Sequence, residues 1–177
     1  MTTQVIVLNG GSSSGKSTLA RSLQAVLPSP WLAFSIDDLV AAMPAALQSQ
    51  DGGIEITDGG EVNVGRDFMR LQDAWREGIA AMARAGAPVV VDDVFLGGPS
   101  SQQGWQKALF GLEVLWVGVR CDTAEAARRE VARQDRPQGM AELQAEVVHL
   151  GVRYDVEVDT TGKDPLECAR AVAAHVR

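Results

Sequence analysis

Cysteine is scarce. The two present in 177 residues, Cys121 and Cys168, have neither the spacing of a metal site nor the number that a disulfide framework needs. Both are expected as buried, reduced thiols. Positive charge is in short supply as well: 16 Lys and Arg stand against 23 Asp and Glu, a formal net charge of -7. That balance opposes the broad basic face that nucleic acid or an anionic membrane demands, so the expected partner is a small molecule. No uncharged apolar run approaches the ~20 residues of a membrane span, and the opening MTTQVIVLNG has no basic start ahead of its apolar run. A cytoplasmic protein is expected. Internal repeats, linkers and low-complexity tails are missing too. The two histidines, His149 and His175, have no carboxylate or cysteine at suggestive spacing and are expected on the surface or in packing.

What is present is a globular composition, with 46% hydrophobic and 22% charged residues. The length suits one core better than two, so a single domain over 1–177 is expected. Short apolar runs recur at 4–9, 31–36, 88–93, 113–120 and 154–159, with helical stretches at 16–27, 38–47, 66–85, 100–110, 122–135, 140–150 and 164–176. Strands alternating with helices imply an α/β fold with a parallel sheet. In the third helical stretch Phe68, Leu71, Trp75, Ile79 and Met82 fall on one face, and such a face could meet the sheet or a second copy, which leaves a homo-oligomer open. Asp164-Pro165 reads as an N-cap and first helical position. Around Asp58-Gly59-Gly60 two short alternating stretches predict a hairpin over the sheet edge.

Residues 8–20 read LNGGSSSGKSTLA. Gly10, Gly15, Lys16 and Ser17 satisfy G-x-x-x-x-G-K-[ST], with an apolar strand before and a helix start after. The small residues Gly10, Gly11, Ser12, Ser13, Ser14 and Gly15 let the backbone wrap a triphosphate, the amides of Ser17 and Thr18 belong to the helix N-terminus, and Lys16 reaches the terminal phosphates. ATP with Mg2+ is the expected ligand. Ser17 is one expected Mg2+ ligand. The other is Asp92, first after the apolar run in VVVDD, although either Asp92 or Asp93 could instead cap the following turn.

The Asn/Thr-Lys-x-Asp element of a guanine-specific switch is missing, and the chain is too short for a motor or transporter ATPase. Small kinases remain. They need a group to orient the acceptor hydroxyl and cations over the transferred phosphoryl group. Asp37, at the carboxyl end of the second strand, suits the first task, with an N-cap by Asp37 or Asp38 as the competing reading. Arg133 and Arg136 share a helical face ahead of the Pro137–Gly139 break and suit the second as part of a lid over about 122–140, whereas Arg128 and Arg129 read as members of a solvated ion-pair helix. Trp31, Phe34 and Trp75 read as core aromatics, whereas Phe95 and Leu96, just past Asp92, are the exceptions expected near the acceptor.

The P-loop, WLAFSIDDL, the GGIEI segment, VVVDDVFLGG, VLWVGVRCD, ARQDRPQGMA and YDVEVDTT occur in this order. End to end, the sequence resembles the chloramphenicol phosphotransferases of antibiotic-producing actinomycetes. The resemblance implies a P-loop kinase-type three-layer sandwich with a five-stranded parallel sheet and a helical lid. It also implies ATP-dependent phosphorylation of the primary hydroxyl of chloramphenicol, which inactivates the antibiotic. By position, Lys16 and Ser17 would serve phosphate and Mg2+, Asp37 would be the general base, Asp92 the strand-end carboxylate, and Arg133 and Arg136 part of the lid. Asp38 departs from the family pattern, and many differences fall between Gln48 and Phe68. Two rival readings stand beside it: a kinase for another small alcohol, and a regulatory module that holds ATP without an acceptor.

Overall fold

The computed structural model describes residues 2–48, 52–133 and 139–177, the side chain of Arg133 excepted. Its sheet has five parallel strands, β1 (Val5–Asn9), β2 (Leu32–Ser35), β5 (Val89–Asp93), β6 (Val114–Arg120) and β7 (Val156–Asp159), in the order β2-β5-β1-β6-β7. The most apolar runs, in β1 and β5, take interior positions beside β6. All five residues of β1 and all five of β5 are buried, whereas the edge strands β2 and β7 are half open.

Strand alternation sends successive side chains to opposite faces and builds two cores. Ile6, Leu8, Val90, Leu115, Val117 and Val119 pack with Leu19 and Leu23 of helix α1 (Lys16–Val26) and Cys168, Ala169 and Val172 of α7 (Pro165–Ala173). On the other face Val5, Val7, Val89 and Val91 meet Ile79, Ala80 and Ala83 of α3 (Arg66–Arg84) and Trp105 of α4 (Pro99–Ala108). The result is helix, sheet, helix, the three layers that the sequence predicts. Asp164 caps α7, its Oδ1 accepting from the amides of Leu166 at 2.7 Å and Glu167 at 3.4 Å.

Several boundaries differ from expectation, each for a local reason. The helix expected at 38–47 runs instead as α2 (Ile36–Ala42), followed by a 3-10 turn at Ala45–Gln48. Met43 is extended, φ -76° and ψ 149°, because the following Pro44 disfavours helical geometry in its predecessor. The hairpin forms as β3 (Ile54–Ile56) against β4 (Val62–Val64), antiparallel with Glu55 opposite Asn63. It rests on a third small core of Leu39, Met43, Ile54 and Phe68. In the lid region, helix α5 (Thr123–Arg133) and helix α6 (Met140–Val147) are described, while 134–138, and Arg136 with them, lie outside the described residues. Glu130 is buried and spans this gap, its carboxylate accepting from the amides of Gly139 and Ala141 at 2.8 Å each. It therefore caps α6 and is no member of a solvated helix face. No helix among the described residues is long and apolar enough to cross a membrane.

Candidate active site

The carboxyl ends of the parallel strands share one edge, where ligands of open α/β sheets bind, and the glycine-rich loop leaves β1 there. Gly15 has φ 90°, a left-handed conformation that admits glycine without strain. A Cβ on Gly10 would stand 2.5 Å from the carbonyl oxygen of Val119, so the loop closes against β6 only with a hydrogen at that place. The Oγ atoms of Ser12, Ser13 and Ser14 are buried and have no hydrogen-bond partner among the described residues. Buried hydroxyls without partners are unfavourable, and three of them in one loop fit a phosphate cradle. Lys16 is buried, donates from Nζ to the Gly11 carbonyl at 2.9 Å and lies 3.7 Å from Asp92 Oδ1. Ser17 donates its hydroxyl to Asp92 Oδ2 at 2.5 Å. The pair expected to bind Mg2+ is thus assembled from α1 and β5, and its donor set of hydroxyl and carboxylate oxygens suits a hard cation.

The loop is braced from behind. Gln144 of α6 accepts from the Ser12 amide at 2.8 Å, and Thr160, at the end of β7, donates to the Ser14 carbonyl at 2.7 Å. Asn9 donates from Nδ2 to the Val148 carbonyl at 2.8 Å and to the Tyr154 hydroxyl at 2.7 Å, and its Oδ1 accepts from the Phe95 amide at 2.9 Å. His149 is buried, with Nδ1 2.6 Å from the Tyr154 hydroxyl, and burial pulls its pKa down to about 4. The neutral ring shares a hydrogen bond with the phenol, so His149 takes the packing role, one of the two that the sequence implies, with a specific partner that spacing could not reveal. His175, by contrast, is exposed.

The structure separates the two candidate acids at the end of β2. Neither Asp37 nor Asp38 is the N-cap. Ser35 is, accepting at Oγ from the Asp37 amide at 3.2 Å, while Asp38 returns the bond by accepting from the Ser35 amide at 2.7 Å. This capping box occupies the Asp38 carboxylate. Asp37 instead lines two spaces at once, the narrow one with Lys16, Ser17 and Asp92, and a larger cavity beyond. Asp93 is also set apart from its neighbour. It accepts from the Trp105 indole at 2.6 Å and from the Val94 amide at 2.7 Å, and burial pushes its carboxyl up from the usual range. The turn-capping reading therefore holds for Asp93, and Asp92 faces the phosphate loop.

That larger cavity, of about 630 Å³, is walled by the hairpin residues Ile54, Ile56, Val62 and Val64, by Phe68 and Met69 of α3, and by Leu96 and Met140, with Asp37 at the phosphate side. The segment expected to run over the sheet edge is therefore its roof. Of the two residues expected near an acceptor, Leu96 lines it, while Phe95 is completely buried in the core behind, because the strand exit turns its ring inward. Arg76 of α3 also lines this cavity and is buried at 6% exposure, with its guanidinium 5.7 Å from the centre of the Trp105 ring. The sequence did carry a signal for it: position 76 falls three before Ile79 and eight after Phe68, on the apolar stripe of α3.

A second cavity, of about 430 Å³, opens on the other side of the loop between Ser13, Gly15, Thr18, Arg128, Arg129 and Lys163. Arg128 and Arg129 do pair with Glu125, at 2.8 and 2.9 Å, and these bonds hold its carboxyl down at about 2. Arg129 also donates to the Thr160 carbonyl at 2.9 Å, so the ion-pair reading is correct but incomplete. Cys168 lines the same cavity as a free, buried thiol; Cys121 is free but only half-buried, against the expectation of burial.

A five-stranded parallel sheet and a P-loop that meets a strand-end carboxylate define a P-loop kinase-type phosphotransferase fold. The chain belongs to the chloramphenicol phosphotransferase-like protein family, whose pattern matches residues 3–177. A Mycobacterium tuberculosis protein named "Putative O-phosphotransferase" is 32% identical over 184 residues, covering 94% of this chain and 79% of the relative. Among solved structures, an unliganded sugar kinase from Janibacter sp. superposes with a TM-score of 0.70 at 16% identity, covering 97% of this chain and 93% of the other. A gluconokinase from Sinorhizobium meliloti gives 0.68 at 22% identity, covering 97% and 90%. The protein is a phosphotransferase with an alcohol group as acceptor, which removes the reading of a regulatory module without an acceptor.

Proposed function

We propose that the protein transfers the γ-phosphoryl group of ATP to the primary hydroxyl of chloramphenicol and so inactivates the antibiotic, protecting the cell that makes the enzyme. One observation carries the reading: Asp37 borders both the corner formed by Lys16, Ser17 and Asp92 and the larger cavity beside it, whose lining mixes apolar and polar side chains. An alcohol seated in that cavity would present its oxygen to a phosphoryl group held by the loop. The acceptor oxygen forms the new bond to phosphorus as the bond to the ADP oxygen breaks, and the hydroxyl proton passes to Asp37. A carboxylate is a weak base, so in a loose transition state, where the proton leaves late, Asp37 acts chiefly by orienting the hydroxyl.

The orphaned serine hydroxyls and Lys16 would hold the β- and γ-phosphates, with the nucleoside toward Arg128 and Arg129. Ser17 and Asp92 would hold Mg2+, which when bound offsets phosphate charge. Arg133 and Arg136 would cover the transferred group as part of a lid at about 122–140 in a single kinase domain. The test is a transfer assay with Mg-ATP and chloramphenicol, reading product mass and the modified hydroxyl. A monophosphate at the primary hydroxyl is expected; nucleotide binding without product would transfer the proposal to a different small alcohol.

A further inference from the structure

Gln144 of α6 carries an amide of which one half is employed. Its Oε1 accepts from the Ser12 amide of the phosphate loop at 2.8 Å, and because a backbone N–H only donates, this bond fixes which end of the carboxamide faces the loop. The residue is 6% exposed. Its NH2 group nevertheless has no hydrogen-bond partner among the described residues and is not one of the groups sealed from solvent. Of the three cavities around the loop, Gln144 lines only the larger one that Asp37 borders.

The surrounding contacts hold this donor in place. Gly11 packs against it so closely that a Cβ there would stand 3.2 Å from Gln144 Cβ, and one turn earlier Met140 lines the same cavity. Glu130 caps the start of α6 through the Gly139 and Ala141 amides, and Asn9 holds its far end at the Val148 carbonyl. A donor fixed before a ligand arrives loses little freedom on binding. Bracing the loop needs only the oxygen, so the NH2 half is left for a ligand, and a donor kept in a mostly buried residue is unfavourable until an oxygen meets it.

The chemistry of that oxygen follows from its surroundings. It is not the reacting hydroxyl, because a bond donated to that oxygen would occupy the lone pair that attacks phosphorus. It stands close to that hydroxyl, because the NH2 belongs to a planar amide whose oxygen touches the phosphate loop, where the hydroxyl must also come. It is uncharged, because a neutral amide supplies nothing to offset an anion beside a triphosphate.

We propose that Gln144 is a specificity residue whose NH2 group selects acceptors with a second, uncharged oxygen within about three carbons of the hydroxyl that takes the phosphoryl group. The inference rests on reading this cavity as the acceptor site. Chloramphenicol has such an oxygen, a secondary hydroxyl on the next carbon but one from the primary hydroxyl.

The experiment measures binding by calorimetry, with Mg2+ and a saturating non-hydrolysable ATP analogue present, of β-hydroxypropiophenone and of its analogue with a methylene group in place of the ketone oxygen. These probes share a ring and a primary alcohol and differ only in the second oxygen. Wild-type protein is expected to bind the ketone about tenfold tighter. Gln144→Glu keeps an oxygen for the Ser12 amide and loses the donor, so the preference should vanish or reverse. A residue that served only as a brace would change nucleotide affinity in this variant and leave the ratio of the two probes unaltered. Equal affinities in the wild type, no measurable binding of the ketone, or a preference that survives Gln144→Glu would overturn the inference. If the variant fails to fold, the NMR signal of the Gln144 side-chain NH2 in isotope-labelled wild-type protein decides: a signal that does not move with the ketone, or moves equally with the methylene analogue, overturns it. Phosphoryl transfer to both probes and to chloramphenicol is followed in parallel. A ketone preference without product on any alcohol overturns the acceptor-site reading and the inference with it; product on both probes at equal efficiency overturns the inference alone.

Discussion

The Ser17 hydroxyl and the Asp92 carboxylate meet at 2.5 Å, although 75 positions separate them in the chain. Adjacent parallel pairing of β1 and β5 makes the meeting possible, since it brings the residue after the P-loop lysine to the end of the neighbouring strand. Asp92→Asn removes the charge from this corner and leaves Lys16 without its acidic neighbour. We expect the Mg2+ concentration for half-maximal transfer to rise about 10- to 100-fold, while binding of Mg2+-free nucleotide changes little. A Mg2+ titration of initial rates reads the outcome, and an unchanged titration would remove Asp92 from the metal.

Asp37 and Asp38 are adjacent yet differ in geometry, so their variants should separate function from stability. Asp37→Asn should lower kcat about 100-fold or more without weakening ATP binding. Asp38→Ala removes the acceptor of the reciprocal half of the Ser35 capping box and should cost about 0.5–1 kcal/mol in urea unfolding while kcat stays near wild type. The opposite pattern would exchange the two roles.

Acidification should act through His149. Burial lowers its folded pKa to about 4 from an ordinary 6.5, so the unfolded chain takes up a proton first. Its contribution to stability is complete above pH 6.5, falls as pH drops from 6.5 toward 4, and levels off below. The full loss is about 2–3 kcal/mol. The difference in unfolding free energy between wild type and His149→Gln, measured from pH 8 to pH 4, should carry this slope; a flat difference would show a ring that titrates normally.

Trp105→Phe keeps an aromatic side chain but removes the indole N–H from which Asp93 accepts at 2.6 Å. Because Asp93 is buried, losing this donor should cost about 1–3 kcal/mol. Denaturant unfolding checks it, and wild-type stability in the variant would mean that Asp93 finds another donor.

Much of this was readable in one dimension, because the rules involved are local. The apolar runs at the start of β1 and β5 favour burial on both faces, the Asp164-Pro165 pair is a local helix-start signal, and the phosphate loop is a spacing of residues within eight positions. Local pattern also misled. WLAFSIDDL gave no way to choose between its two acids until Ser35 was seen to be the cap, and Phe95 and Leu96, neighbours in sequence, proved to face core and cavity respectively.

The strand periodicity, the loop glycines and the carboxylate after VVV are properties of single segments, so sequence alone determined a parallel α/β sheet with a phosphate-binding corner at one edge. Only the tertiary structure decided what stands around that corner. The hairpin folds over as a roof, Thr160 and Gln144 brace the loop from 146 and 132 positions away, and Arg76 is buried beside Trp105. Each of these depends on the distance between side chains far apart in the chain, a distance set by how the layers pack; the stripe of α3 marks position 76 as inward-facing, but spacing along one element does not say what it meets.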